Sequence, residues 1–72
     1  MATKLERLLA IEGYSDAIEL FAAVLAYSVS PGICVNPGCD YTTEVEPDQD
    51  RGYCEACGTQ TVQSALILAG LI

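Results

Sequence analysis

The chain has 72 residues, no histidine, and a formal net charge of −7 from ten acidic and three basic side chains. That length allows one domain, residues 1–72, whose small core cannot outweigh the entropy of ordering by a wide margin, so a staple or a partner is required. Without histidine there is no His-based triad or acid–base shuttle, and three basic residues (Lys4, Arg7, Arg51) provide no phosphate track for generic nucleic-acid binding.

Residues 1–30 read as two helices whose two-residue link implies a hairpin or a sharp corner. Thr3-Lys4-Leu5-Glu6 fits a capping box, and Leu5, Leu8 and Leu9 follow helical spacing on one apolar face. Lys4 and Arg7, three apart, read as a solvated face. Gly13 is a natural left-handed stop. Ser15 is the expected N-cap of a second helix, with Asp16 and Glu19 favouring its dipole, and Pro31 and Gly32 forbid continuation much beyond Tyr27 or Ser28. The apolar run after Arg7 stops at Glu12 and Gly13, too early for a signal sequence. Residues 20–27 and 65–72 are the longest strongly apolar stretches, eight residues each. A bilayer span needs about 20. A reducing, cytoplasmic setting is the expectation, and disulfides do not persist there.

The pattern changes over residues 40–54. Tyr41, Thr43 and Val45 alternate with Thr42, Glu44 and Glu46, a period of two that predicts a strand. Pro47, Asp48, Gln49 and Asp50 predict a turn, with residues 51–54 returning as the partner strand of a hairpin. Thr59 or Thr61 would cap a third helix over residues 62–69, closed by Gly70 with Leu71 and Ile72 folded back. A terminal strand fits the same short apolar run.

The cysteines form two close pairs, Cys34-x4-Cys39 and Cys54-x2-Cys57, separated by fourteen residues. Each pair can turn two sulfurs toward one point, and a hairpin-sized interval can bring the pairs together. That pattern predicts one tetrahedral zinc ion on Cys34, Cys39, Cys54 and Cys57. Gly38 and Gly58 beside the pairs let backbone amides approach the thiolates. One zinc on four thiolates would take the net charge from −7 to −9. Four thiolates leave no open coordination position, which argues against catalysis at the metal. Iron is the geometric alternative. Redox chemistry at Cys54-Glu55-Ala56-Cys57 has the C-x-x-C spacing but no surrounding βαβ pattern.

The segment Gly32-Ile-Cys-Val-Asn-Pro-Gly-Cys-Asp-Tyr-Thr-Thr-Glu-Val-Glu-Pro-Asp-Gln, with Gly52-Tyr-Cys-Glu-Ala-Cys-Gly, resembles small, mostly uncharacterised zinc-ribbon proteins of bacterial and bacteriophage genomes. The resemblance covers residues 30–72 and extends loosely to the helices. It implies zinc and a ribbon or treble-clef-like site, and no established activity. The first pair departs from the commoner two-residue knuckle.

Asp40, Glu44, Glu46, Asp48, Asp50 and Glu55 concentrate charge around the expected hairpin, as a solvated edge or as a docking surface for a basic partner. Calcium at Asp48-x-Asp50-x-Gly52 lacks the later loop ligands. Tyr41 and Tyr53 are expected to pack across the hairpin and shield the metal. Leu20, Phe21, Val24 and Leu25, with Leu66, Ile67 and Leu71, exceed what so small a core can enclose, and predict a homodimer or a protein partner. The expected protein is therefore a small α+β zinc-binding domain: an N-terminal helical hairpin over residues 1–30, and a four-cysteine, zinc-ribbon-like module over residues 31–72 comprising a zinc-clamped β-hairpin and a C-terminal helix. Its expected role is non-enzymatic protein–protein interaction, for example as an acidic inhibitor or adaptor of phage or mobile-element type. The rival readings are an accessory nucleic-acid-associated or transcription-related zinc ribbon, and an iron or redox carrier.

Overall fold

The computed structural model describes residues 3–72, so Met1 and Ala2 of the expected helical segment lie outside the described residues. The elements are α1 (Lys4–Glu12), α2 (Ala17–Tyr27), β1 (Ser30–Cys34), β2 (Thr42–Val45), β3 (Gly52–Cys54), β4 (Thr59–Ser64) and α3 (Ala65–Leu68).

Local chemistry sets the helix ends. Thr3 caps α1, accepting from the Glu6 amide at 3.1 Å, while the Glu6 carboxylate accepts from the Thr3 amide at 2.9 Å. Gly13 ends α1 at φ 81°, and the Gly13 and Tyr14 amides both bond back to the Leu9 carbonyl. The cap of α2 is Asp16, not Ser15. Its carboxylate takes the Glu19 amide at 2.9 Å, and Ser15 instead donates to the Glu19 carboxylate. An ionised cap gains from the helix dipole as well as from the hydrogen bond, which favours Asp16 over its neighbour. The two helices do not lie side by side as a hairpin: α1 packs chiefly on β1 and α3, and α2 on α3.

The sheet has four antiparallel strands in the order β2-β1-β4-β3. This overturns the expected hairpin over residues 40–54. β2 and β3 occupy opposite edges; β2 pairs with β1, and β3 pairs with β4. The segment given no strand on sequence grounds, β1 with its Pro31-Gly32, is a central strand. Pro31 faces Glu44 of β2, and Gly32 is needed for packing, since a Cβ there would lie 2.8 Å from Val62 Cγ1 and 2.9 Å from Val45 Cγ2. The expected helix over residues 62–69 is also corrected. Residues through Ser64 continue as β4, and Ser64 then caps a single turn, its hydroxyl accepting from the Ile67 amide at 3.2 Å. β-branched Thr59, Thr61 and Val62 suit the strand, and pairing on both sides of β4 outweighs the helical spacing. The expected stop at Gly70 holds: φ is 74°, with Gly70 bonding to Ile67 and Leu71 to Leu66 in a Schellman arrangement.

Successive residues of a strand point to opposite faces, and Ile33 and Cys34 divide the molecule accordingly. On one face Ile33 joins Leu8, Leu20, Val24 and Ala65 in the helical core. On the other, Cys34 joins Cys54 and Val62, with Cys39, Tyr41 and Val45 packed around them. The buried hydroxyls bind the layers together: Ser30 accepts from the Ala65 amide at 3.2 Å, and Ser64 donates to the Pro47 carbonyl at 2.6 Å. Among the described residues no buried side-chain polar atom lacks a partner. None of their helices is long and apolar enough to cross a membrane.

Candidate metal centre

Cys34 is the last residue of β1 and Cys54 the last of β3, so strand pairing through β4 brings them together; Cys39 and Cys57 follow on tight turns. In the first turn Cys39 N–H bonds to the Asn36 carbonyl at 3.1 Å and Gly38 takes φ 79°. Cys34 N–H reaches the Tyr41 carbonyl at 2.9 Å, closing the loop at its base. In the second turn Gly58, at φ 71°, bonds to the Cys54 carbonyl at 2.7 Å. The Cys57 amide donates to Cys54 Sγ at 3.3 Å. These are two knuckles that aim four sulfurs inward.

All four sulfurs lie within 4.8 Å of one another, with Cys39–Cys54 at 3.7 Å and Cys34–Cys57 at 3.9 Å. A tetrahedron of thiolates about 2.3 Å from a central ion has edges of about 3.8 Å, which the two closest pairs match, so the cluster is compatible with one metal ion. It does not form disulfides: all four cysteines are free, and a disulfide would need sulfurs at about 2.05 Å. The residues singled out from spacing are thus the ones the fold gathers. Among the described residues they are the one group able to supply three or more ligands. Asp48 and Asp50, already short of calcium-loop ligands in the sequence, belong to no such group.

Hydrogen bonds shape the charge of the cluster. Burial pushes the Cys34 thiol up, but the Thr61 hydroxyl at 3.1 Å, the Asn36 backbone and the neighbouring thiols outweigh it and bring Cys34 down to about 7. Cys39 moves the other way. The Tyr41 backbone favours its thiolate, yet Cys57, burial, Cys34 and Cys54 together raise it to about 12. A cation bound among the sulfurs would favour the thiolate form of all four.

Three features were not read from the sequence. Thr61 Oγ1 stands between Cys34 Sγ, the Thr59 hydroxyl at 3.0 Å and Asn36 Nδ2 at 3.5 Å, a small polar network around one sulfur. Lys4 and Arg7 are tied to the first knuckle. Lys4 Nζ bonds the Cys39 carbonyl and lies 3.7 Å from Asp40, and Arg7 grips the Asp40 carboxylate with Nε at 2.8 Å and with Nη2. That guanidinium, against a smaller effect of burial, holds the Asp40 carboxyl below the usual carboxylate range. Third, the tyrosines part: Tyr41 packs against the cysteine cluster, but Tyr53 is 58% exposed and does not shield it. Gly52 and Cys54 on either side of Tyr53 are buried, so strand alternation turns Tyr53 to the opposite face.

The apolar surplus also divides. Leu20 and Val24 are buried in the chain's own core, Phe21, Leu66 and Ile67 are half-buried, and Leu25 and Leu71 are exposed. Ile18 and Leu25, 78% and 83% exposed, extend with Ala22 along the outer face of α2. No family model matches the chain, and no curated protein or solved structure matches it.

Proposed function

We propose that this chain is a non-enzymatic protein-interaction module whose fold is held together by one zinc ion on Cys34, Cys39, Cys54 and Cys57. The observation that supports the metal is the pair of sulfur separations, 3.7 and 3.9 Å, which match tetrahedron edges. Zinc is favoured because a closed shell of four thiolates is its structural site, and binding contributes about 10–16 kcal/mol toward folding in small domains of this kind. Such a term is large beside the marginal stability of a 72-residue chain. The same closed shell gives no position for a substrate, in keeping with a non-catalytic role.

The interaction part rests on surface chemistry. Ile18, Leu25 and Tyr27 of α2, with Leu71 and Ile72, leave apolar area in water that a second copy or a different protein would cover. Lys4 and Arg7 are engaged with Asp40, which leaves Arg51 as the basic side chain outside the ion pairs and speaks against a nucleic-acid role. A net charge of −7 favours a basic protein partner, with an acidic inhibitor or adaptor as the concrete form.

The test is metal content and its consequence. Reduced, freshly purified protein carries one equivalent of zinc, and chelation unfolds at least residues 32–58, followed by circular dichroism and amide exchange. Less than half an equivalent of metal, or an unchanged fold after chelation, refutes the reading. Visible absorbance from bound iron would replace zinc by iron.

A further inference from the structure

The outer edge of β2 carries backbone groups that no strand among the described residues uses. Cys34 N–H bonds to the Tyr41 carbonyl at 2.9 Å, and the register continues Ile33↔Thr42, Gly32↔Thr43, Pro31↔Glu44 and Ser30↔Val45. Bonded and non-bonded pairs alternate along an antiparallel ladder. Thr43 and Val45 therefore turn their N–H and C=O groups toward β1, and Thr42 and Glu44 turn theirs away. Pro31, which has no N–H to give, faces Glu44 as this alternation requires. β2 is the first strand of the sheet order and β3 the last, so each is open on one side. The sheet curls far enough to bring these edges near each other: a Cβ on Gly52 of β3 would lie 3.4 Å from Val45 Cγ1 of β2. Between them runs a groove of about 480 Å³. Val29, Val45, Gly52 and Tyr53 give it apolar walls, and Glu44 and Glu46 give it charge.

We propose that this groove receives an extended, basic segment of a partner protein, added as a strand along the free edge of β2. The unpaired N–H and C=O groups of Thr42 and Glu44 ask for a strand. The acids then choose which. Lysine or arginine directly opposite Glu44 is a favourable cross-strand pair, and the groove lining itself contains no basic residue. A second copy of β2 is disfavoured, because self-pairing sets Glu44 and Glu46 against their own kind and joins two chains of charge −7. The proposal rests on the interaction-module reading and adds to it the site and the chemistry of the partner. It is separate from the apolar face of α2.

The experiment uses zinc-loaded, ¹⁵N-labelled full chain and the peptide acetyl-Lys-Val-Lys-Val-Lys-amide at physiological salt. Saturable shifts centred on the Thr42 and Glu44 amides are expected. Binding should weaken at least tenfold for the Glu44→Gln/Glu46→Gln variant. It should weaken at least tenfold again for a peptide of the same charge methylated on its lysine backbone nitrogens, which cannot donate to the edge. No saturable shift at millimolar peptide, shifts centred away from β2, or equal binding of the methylated peptide overturns the proposal. Cysteine carbon shifts in the same sample report metal-bound thiolates. An intact centre with a silent groove removes the groove alone, and a lost centre removes the zinc module instead.

Discussion

Replacing Thr61 by valine removes one hydroxyl and almost nothing else. The two side chains have nearly the same shape, and both suit β4. In the native chain that hydroxyl is 3.1 Å from Cys34 Sγ and is approached by the Thr59 hydroxyl at 3.0 Å and by Asn36 Nδ2 at 3.5 Å. With both neighbours able to donate to Thr61 Oγ1, its own proton is free for the thiolate. A hydrogen bond to a charged acceptor contributes about 1.5–3 kcal/mol, and Thr59, left behind, is exposed and finds water. The full term therefore falls on the thiolate and its metal. Converted at about 1.4 kcal/mol per decade, Thr61→Val weakens zinc binding about 10- to 100-fold, in line with losses of outer hydrogen bonds at other metal sites. Competition against a chromophoric chelator measures the change, and Thr61→Ser, which keeps the hydroxyl, should recover most of it. A Thr61→Val protein with zinc affinity within twofold of the native chain would refute this account of the hydroxyl. A valine variant that binds zinc normally but unfolds more easily would place Thr61 in packing instead.

Gly32→Ala should destabilise the whole sheet, because the new methyl meets Val62 Cγ1 at 2.8 Å, Val45 Cγ2 at 2.9 Å and the Gln63 carbonyl at 3.0 Å. Overpacking of this kind costs about 1–3 kcal/mol, which in a domain this small lowers Tm by about 5–20 °C; an unchanged melting curve contradicts the packing described. Leu20→Ala and Leu25→Asp should separate core from surface on the same helix. The first removes a fully buried side chain and costs about 2–5 kcal/mol in thermal or denaturant unfolding. The second, at a position 83% exposed, should leave the circular dichroism spectrum intact and reduce any self-association seen by light scattering. An unfolded Leu25→Asp protein would show that this side of α2 is core.

What the sequence by itself determined is what neighbours along the chain decide. The Thr3 capping box, the left-handed stops at Gly13 and Gly70, and the two cysteine knuckles each close within a handful of residues, so their chemistry is complete in a short window. The four candidate ligands were legible for the same reason: a close pair of cysteines states its purpose locally, and only one point in the fold has to receive both pairs. Strand partners are different. Residues 42–45 and 52–54 alternate as strands should, yet alternation is the same whichever strand lies alongside. The nearer partner lost to a central pair, β1 and β4, in which Gly32 admits Val45 and Val62 and Ile33 closes the helical core. Residues 59–64 became a strand because β1 and β3 were there to bond it, information absent from their own mostly polar sequence. Leu20 and Leu25 are equally apolar, and which of them meets Ile33 depends on how α2 leaves the corner at Gly13. Asp40 sits thirty-three residues from Arg7, and only the folded chain brings the carboxylate to the guanidinium. Tertiary structure decided these matters because each compares contacts between distant segments, and no single segment contains both sides of the comparison.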